Sequence, residues 1–151
     1  MKKKATAFIL AMVMAVSCVP VAFADGDEAV GLSPENPIIL SEESILRDAD
    51  LNMSFSNLGV GKYKYSSEYY YIENGDVALK IISATWDPAG SNVWIGYYNV
   101  NTGNDYGRLY TGGHIYNEGL RGGRMPTGTY RIFVKNLGPN TITGAMQYRV
   151  N

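Results

Sequence analysis

The sequence contains only one cysteine, Cys18, and only one histidine, His114, so common metal ligands and nucleophile-base pairs are scarce. Cys18 lies in an apolar N-terminal segment that we expect to be removed, which leaves the mature chain without disulfides or thiolate chemistry. No serine lies in a Gly-x-Ser-x-Gly motif, and we interpret His114 as a solvated loop residue. We therefore predict a protein that is not an enzyme and that has no metal site and no cofactor.

The first 24 residues have the order of a secretory signal peptide. Lys2, Lys3 and Lys4 precede an apolar run over residues 5–16, and Ala22-Phe23-Ala24 supplies a cleavage site. The apolar run is too short to cross a bilayer comfortably. We predict cleavage after Ala24 and secretion. A lipid anchor at Cys18 is the alternative, although Ala15-Val16-Ser17-Cys18 lacks the leucine usually found three residues before such a cysteine.

The charges of the expected mature chain are unevenly distributed. Loss of the three N-terminal lysines leaves ten basic and fourteen acidic side chains, a formal charge of −4, which disfavours a nucleic-acid partner. Residues 25–50 hold eight acids and one base, whereas residues 51–151 hold six acids and nine bases. We predict a flexible acidic leader over residues 25–36 and one folded domain over residues 37–151.

The remaining sequence predicts an all-β fold. Alternating apolar and polar residues mark strands near residues 37–40, 51–56, 63–72, 77–86, 93–100, 106–110, 130–135 and 142–150. Residues 93–110 and 130–150 each resemble a hairpin, and the extra apolar residue Ile82 suggests a bulge. Residues 111–128 are rich in glycine and predict a long loop with at most one short strand. About eight such strands favour an antiparallel two-sheet β-sandwich, of jelly-roll or related type.

One segment resembles a known family. Residues 126–134, Pro-Thr-Gly-Thr-Tyr-Arg-Ile-Phe-Val, are similar to a strand near the end of bacterial pre-peptidase C-terminal (PPC) domains, which are small β-sandwich modules of secreted proteins. The resemblance extends over roughly residues 37–151 and implies a small module of a secreted protein, which is also the model for a structural or protein-interaction role. The acidic segment typical of that family is replaced here by Ser91-Asn92-Val93-Trp94, which argues against the calcium role sometimes associated with the family.

Acidic and amide side chains provide two further candidate sites. Asn99, Asn101, Asn104 and Asp105 crowd one turn, but their spacing does not match a calcium loop, and asparagines are common in such turns for conformational reasons. Paired carboxylates for glycoside hydrolysis are not indicated, because the acids fall in the leader or in turns. We expect both groups to be solvated turn residues.

Aromatic residues give the strongest indication of function. In the runs 69–71 and 97–98 at least one tyrosine per run must point away from the core, and such rings can stack on sugars or on a protein partner. We predict a ligand-binding surface at Trp86, Trp94, Tyr97, Tyr98, His114, Arg121 and Arg124. The first hypothesis is a non-catalytic extracellular module that binds carbohydrate or a cell-envelope polymer. The alternative is a structural or protein-interaction module of a secreted or cell-surface assembly.

Overall fold

A computed structural model describes residues 31–35, 37–40, 49–73, 78–121, 123 and 125–150. Within these residues the chain forms an all-β sandwich of two packed sheets, as the alternation predicts. The strands are β1 (Ile38–Leu40), β2 (Leu51–Leu58), β3 (Tyr63–Tyr65), β4 (Tyr70–Ile72), β5 (Ala78–Asp87), β6 (Val93–Asn99), β7 (Asp105–Tyr110), β8 (His114–Arg121), β9 (Gly128–Asn136) and β10 (Ile142–Val150). No helix in the described part of the chain has the length and apolar character needed to cross a membrane.

The two sheets differ in size. The larger has six strands in the order β1-β4-β9-β6-β7, with β3 also paired to β9, and the smaller has four in the order β2-β10-β5-β8. Strands β1 and β4 are parallel, whereas the other neighbouring strands named here pair in antiparallel fashion. Strands β7 and β8 are therefore edge strands, one in each sheet, and a short turn at Thr111–Gly113 joins them.

The core lies between the facing sides of the two sheets. Alternate residues of each long strand point inward, so that each sheet contributes one layer of apolar side chains. Strands β9 and β10 contribute apolar core side chains from the middle of their sheets, where neighbouring strands on both sides exclude water. The largest fully buried side chains of the two layers are Tyr97, Tyr130, Ile132, Ile95 and Ile72 from one sheet and Tyr148, Leu79, Ile81, Ile142 and Met146 from the other.

Three local predictions are confirmed. Strand β1 begins at Ile38, and β6 pairs with β7 as the predicted hairpin. The pairing of β10 with β5 shifts by one residue where Gln147 faces Ser83 and Tyr148 faces Ile81, so Ile82 is the extra residue of a bulge.

Two predictions about connections are wrong. Strands β9 and β10 do not form a hairpin, because β9 pairs with β3, β4 and β6 whereas β10 pairs with β2 and β5 in the other sheet. The connection between them therefore passes from one sheet to the other. Residues 111–128, predicted as a long loop with at most one short strand, contain the eight-residue strand β8, which is longer than predicted because Ile115 and Leu120 join the core and hold this segment against β5.

Gly31, within the predicted leader, accepts a hydrogen bond from Tyr69 N at 2.6 Å and lies tightly against Ile38. Residues 74–77, between β4 and β5, lie outside the described residues, and β4 and β5 belong to different sheets.

Asn136 fastens the end of β9 to the opposite sheet. Its buried Nδ2 donates hydrogen bonds to Leu58 O at 2.9 Å and Asn140 O at 2.7 Å, and its Oδ1 accepts one from Gly138 N at 2.9 Å. Because Leu58 ends β2, this one side chain connects the two sheets and shapes the crossing between them.

We expect Asn136→Ala to lower the free energy of unfolding by about 2–4 kcal/mol, because it leaves buried backbone groups without partners. Urea denaturation followed by tryptophan fluorescence measures the change. Asn140→Ala is the matched control, since Asn140 is exposed and contributes its backbone carbonyl rather than its side chain. Equal stabilities of the two variants would contradict the role given to Asn136.

Candidate functional site

The outer face of the six-stranded sheet carries a layer of aromatic and charged side chains. Strand register places Tyr65 beside Phe133, and Phe133 beside Gly96, in one row across β3, β9 and β6. The next row contains Tyr63, Lys135 and Trp94 in the same strand order. We call Tyr63, Tyr65, Tyr69, Tyr98, Arg131, Phe133 and Lys135 the outer aromatic cluster.

Phe133 is the centre of the outer aromatic cluster. Its ring is fully buried, although it points to the opposite side of β9 from the core residues Ile132 and Val134. The ring of Tyr63 meets it edge to face, with centroids 5.5 Å apart. Gly96, the other neighbour of Phe133, has no side chain that competes for this space. Strand β9 is therefore covered on both faces.

The tyrosine rings of the cluster pack mainly on one another. Tyr63 and Tyr65 are stacked with centroids 5.4 Å apart and planes 4° apart. Tyr98 tilts against both, at 5.0 Å from Tyr65 and 6.0 Å from Tyr63. The guanidinium of Arg131 lies 5.1 Å from the Tyr65 centroid and 4.8 Å from that of Tyr69, within cation–π range. The faces of Tyr65 are consequently occupied by neighbours within the protein.

The polar atoms of the cluster are also paired. The Tyr63 hydroxyl donates to Asp105 Oδ2 at 2.7 Å and accepts a hydrogen bond from Lys135 Nζ at 2.6 Å. Lys135 Nζ also lies 3.5 Å from Asp105 Oδ2, so the charge of this carboxylate is compensated. Hydrogen bonding with Tyr63 raises the pKa of Lys135, which favours its charged form. Arg131 Nε donates to Ser66 O at 2.8 Å.

A cleft opens beside this cluster, between the edges of the two sheets. It has a volume of about 350 Å³ and is lined by Trp94, Tyr97, Asp105, Tyr106, Gly107, Leu120 and Arg121. The ion pair between Arg108 and Glu118 links β7 to β8 on the side of the cleft nearer their connecting turn. We call the cleft between the two sheet edges, with the seven lining residues named above, the edge cleft.

Trp94 is one of two partly exposed aromatic residues that line the edge cleft, the other being Tyr106. Trp94 lies on the outer face of β6, where its partner on the edge strand is Leu109. A Cβ atom added to Gly107 would lie 3.0 Å from Trp94 Nε1, so the indole lies directly against this glycine. The absence of a side chain at Gly107 thus allows the indole of Trp94, which belongs to β6, to lie against the edge strand β7.

The structure divides the predicted site residues. Trp94, Tyr97 and Arg121 line the edge cleft. The prediction of an exposed ring is wrong for Trp86, which is buried and donates from Nε1 to Ser91 O at 2.7 Å, because it shares the inward phase of Ala84. It is also wrong for the Tyr97 ring, which is fully buried because it shares the phase of Val93 and Ile95.

The other predicted residues lie apart from one another. Tyr98 is part of the outer aromatic cluster. His114 and Arg121 stand at opposite ends of β8, about 23 Å apart at the usual rise of a strand, so the structure does not bring them together. His114 is exposed, with Nδ1 3.1 Å from Gly112 O. Arg124 lies outside the described residues.

The asparagine-rich turn after β6 has a conformational role. Asn99 Oδ1 accepts hydrogen bonds from the backbone N–H groups of Asn101 and Thr102, at 2.9 and 3.0 Å. This is the arrangement by which asparagine stabilises a turn. Across the residues that the structure describes, no three histidine, cysteine, aspartate or glutamate side chains come together as a metal site.

The sequence contained one unused indication of the outer aromatic cluster. Phe133 alternates with Tyr130, Ile132 and Val134, on the same face as Arg131 and Lys135, and an apolar ring between two cations suggests that other side chains cover it. Tyr63 and Tyr65 have the spacing of one strand face. Their meeting with Asp105 required the strand order, which local patterns do not supply.

Comparison with protein-family models and with curated protein sequences finds no match to this chain.

The outer aromatic cluster predicts an alkaline loss of stability. Burial, and then the neighbouring Tyr98 and Tyr63, raise the pKa of Tyr65 from 10.0 to about 12. Below pH 10 the residue is neutral whether folded or unfolded, whereas between pH 10 and about 12 it ionises more readily in the unfolded chain. Ionisation therefore favours unfolding over this interval.

We expect the urea midpoint to fall as the pH rises from 10 to about 12, and to fall less steeply in Tyr65→Phe, which cannot ionise there. Urea titrations at several pH values in this interval measure both slopes. An equally steep fall in the variant would show that Tyr65 does not contribute.

Proposed function

We propose that this protein is a non-catalytic extracellular binding module for carbohydrate or a cell-envelope polymer, with the edge cleft as its binding site. The observation that carries the proposal is the partly exposed indole of Trp94 at a cleft of about 350 Å³ that also contains polar groups. This volume lies at the lower end of ligand pockets, which range over about 300–1,000 Å³.

The chemistry of the edge cleft suits a sugar. A pyranose ring has an apolar C–H face, which stacks on an aromatic ring, and a rim of hydroxyls, which need hydrogen-bond donors and acceptors. Trp94 supplies the aromatic surface, and Asp105 and Arg121 supply an acceptor and a donor. The outer aromatic cluster is less suitable, because the faces of Tyr63 and Tyr65 are stacked on each other.

Two features of the sequence support the extracellular part of the proposal. The N-terminal residues have the order of a signal peptide, with cleavage expected after Ala24. The resemblance to PPC domains suggests a small sandwich module of a secreted protein. Trp94 belongs to the segment Ser91–Trp94 that departs from the acidic pattern of those domains.

A protein-interaction module is the second candidate. It is favoured by Leu109, which is 47% exposed beside Trp94 on the edge strand β7. Exposed apolar side chains on an unpaired strand edge are features of surfaces to which another chain adds. Under this hypothesis a secreted protein partner, rather than a glycan, would cover Trp94 and Leu109.

We expect Trp94→Ala to weaken glycan binding by about ten- to a hundredfold, through loss of stacking and of buried apolar area. A glycan array identifies the ligand, and affinity electrophoresis in polysaccharide-containing gels compares the variants. Tyr116→Ala is the matched control, because this tyrosine is 80% exposed on β8 and does not line the edge cleft.

The two candidate functions give different results in these experiments. Retention of the unmodified protein on a glycan, lost in Trp94→Ala and kept in Tyr116→Ala, supports the carbohydrate module. Failure to bind any glycan refutes it. A protein captured from culture supernatant whose binding requires Leu109 as well as Trp94 favours the interaction module.

A further inference from the structure

Among the residues that the structure describes, the charged side chains around the edge cleft are paired with one exception. The carboxylate of Asp105 lies near Lys135 and accepts the Tyr63 hydroxyl, and Arg108 is paired with Glu118 across the two edge strands. Arg121 lines the same cleft, is exposed, and has no acidic partner among the described residues. The described groups at the cleft therefore leave one uncompensated positive charge.

We propose that the edge cleft binds an acidic glycan, with Trp94 stacked on a sugar ring and the guanidinium of Arg121 paired with an oxyanion on the chain. The inference rests on the proposed carbohydrate function and names the class of ligand. Arginine suits this role because its planar group donates two parallel hydrogen bonds to a carboxylate or a phosphate.

The arrangement of Asp105 agrees with an anionic ligand. A free carboxylate in the cleft would repel an acidic sugar, but this one is held by Lys135 and Tyr63 at 3.5 and 2.7 Å. Its remaining capacity as an acceptor is available for a sugar hydroxyl. The cleft thus combines a hydrogen-bond acceptor with a net positive charge.

The wider charge distribution points the same way. Residues 51–151, which supply the edge cleft, hold nine basic and six acidic side chains, whereas residues 37–50 add four acids and one base, so the predicted domain is formally neutral as a whole. The attraction for a polyanion is therefore local to the part of the domain that carries the cleft, and salt weakens it. An uncharged polysaccharide would gain nothing from this distribution.

The test compares ligands that differ in charge but share a sugar backbone. Polygalacturonate presents carboxylates, and its methyl-esterified form presents the same sugars without the charge. A glycerol-phosphate polymer presents phosphates, so that preference between it and polygalacturonate identifies the source of the oxyanion. Binding of each to the purified protein is measured by isothermal titration calorimetry at about 50 mM and about 500 mM salt.

We expect at least one acidic polymer to bind more tightly than the methyl ester at low salt. Arg121→Gln should weaken this binding by about three- to tenfold at low salt, and less at high salt, as expected for one exposed charge-assisted contact. Lys64→Gln is the control for general charge, because Lys64 is exposed on β3, three strands away from the edge strand β7.

The possible results separate this inference from the proposed function. Equal or tighter binding of the uncharged ester, lost in Trp94→Ala, overturns the inference and leaves the carbohydrate function standing. An acidic preference that Arg121→Gln does not reduce, or that Lys64→Gln reduces equally, also overturns the assignment to Arg121. If the unmodified protein binds no glycan, both proposals are overturned.

Discussion

The burial of strand β9 on both faces is the constraint on which the rest of the structure depends. One face carries Ile132 and Val134 into the core between the sheets, and the other carries Phe133, which is equally inaccessible to solvent. A strand in the middle of a sheet with only one covered face would leave Phe133 in water. The tyrosines of β3 and β6 prevent this, so the outer side of the six-stranded sheet acquires a small apolar layer of its own.

This second layer limits what the outer face can bind. Tyr63 and Tyr65 stack on each other, and the Tyr63 hydroxyl is shared between Asp105 and Lys135. A sugar that stacked on either ring would first have to displace a neighbouring side chain and break these hydrogen bonds. An abundance of tyrosine on a sheet face is therefore weaker evidence for a binding platform than it looks. Partly exposed Trp94, beside an edge strand, is stronger evidence.

Alternation predicted the sandwich, the β6–β7 hairpin and the bulge at Ile82, because each depends on local phase. The alternation also indicates that Tyr97 is buried, because Tyr97 is in phase with the inward-facing Val93 and Ile95, whereas Tyr98 is not. The partner strands of β9 and of β10 were beyond such reasoning. Phase determines which face a residue takes, whereas the choice of partner strand depends on contacts between distant segments.

The edge cleft shows the same division. Trp94, Tyr97 and Arg121 were predicted as site residues from their chemistry alone, but they meet because β6 and its edge neighbour β7 lie beside the edge strand β8 of the other sheet. Nothing in the residues around Arg121 indicates that Trp94 is a neighbour. The lining residues Asp105, Gly107 and Leu120 were missed for the same reason, since an acid, a glycine and a leucine have no shared pattern.

The position of the edge cleft also explains how it can stay open. The turn between β7 and β8 is held at Gly113, whose carbonyl accepts a hydrogen bond from Trp86 N at 2.9 Å and whose Cα side lies against Ala89. The Arg108–Glu118 pair further along is exposed and contributes little stability. The separation of the two edges at the cleft is therefore set chiefly by the side chains between them. Tyr97 and Leu120 form a buried floor, and the partly exposed Trp94 is left at the opening.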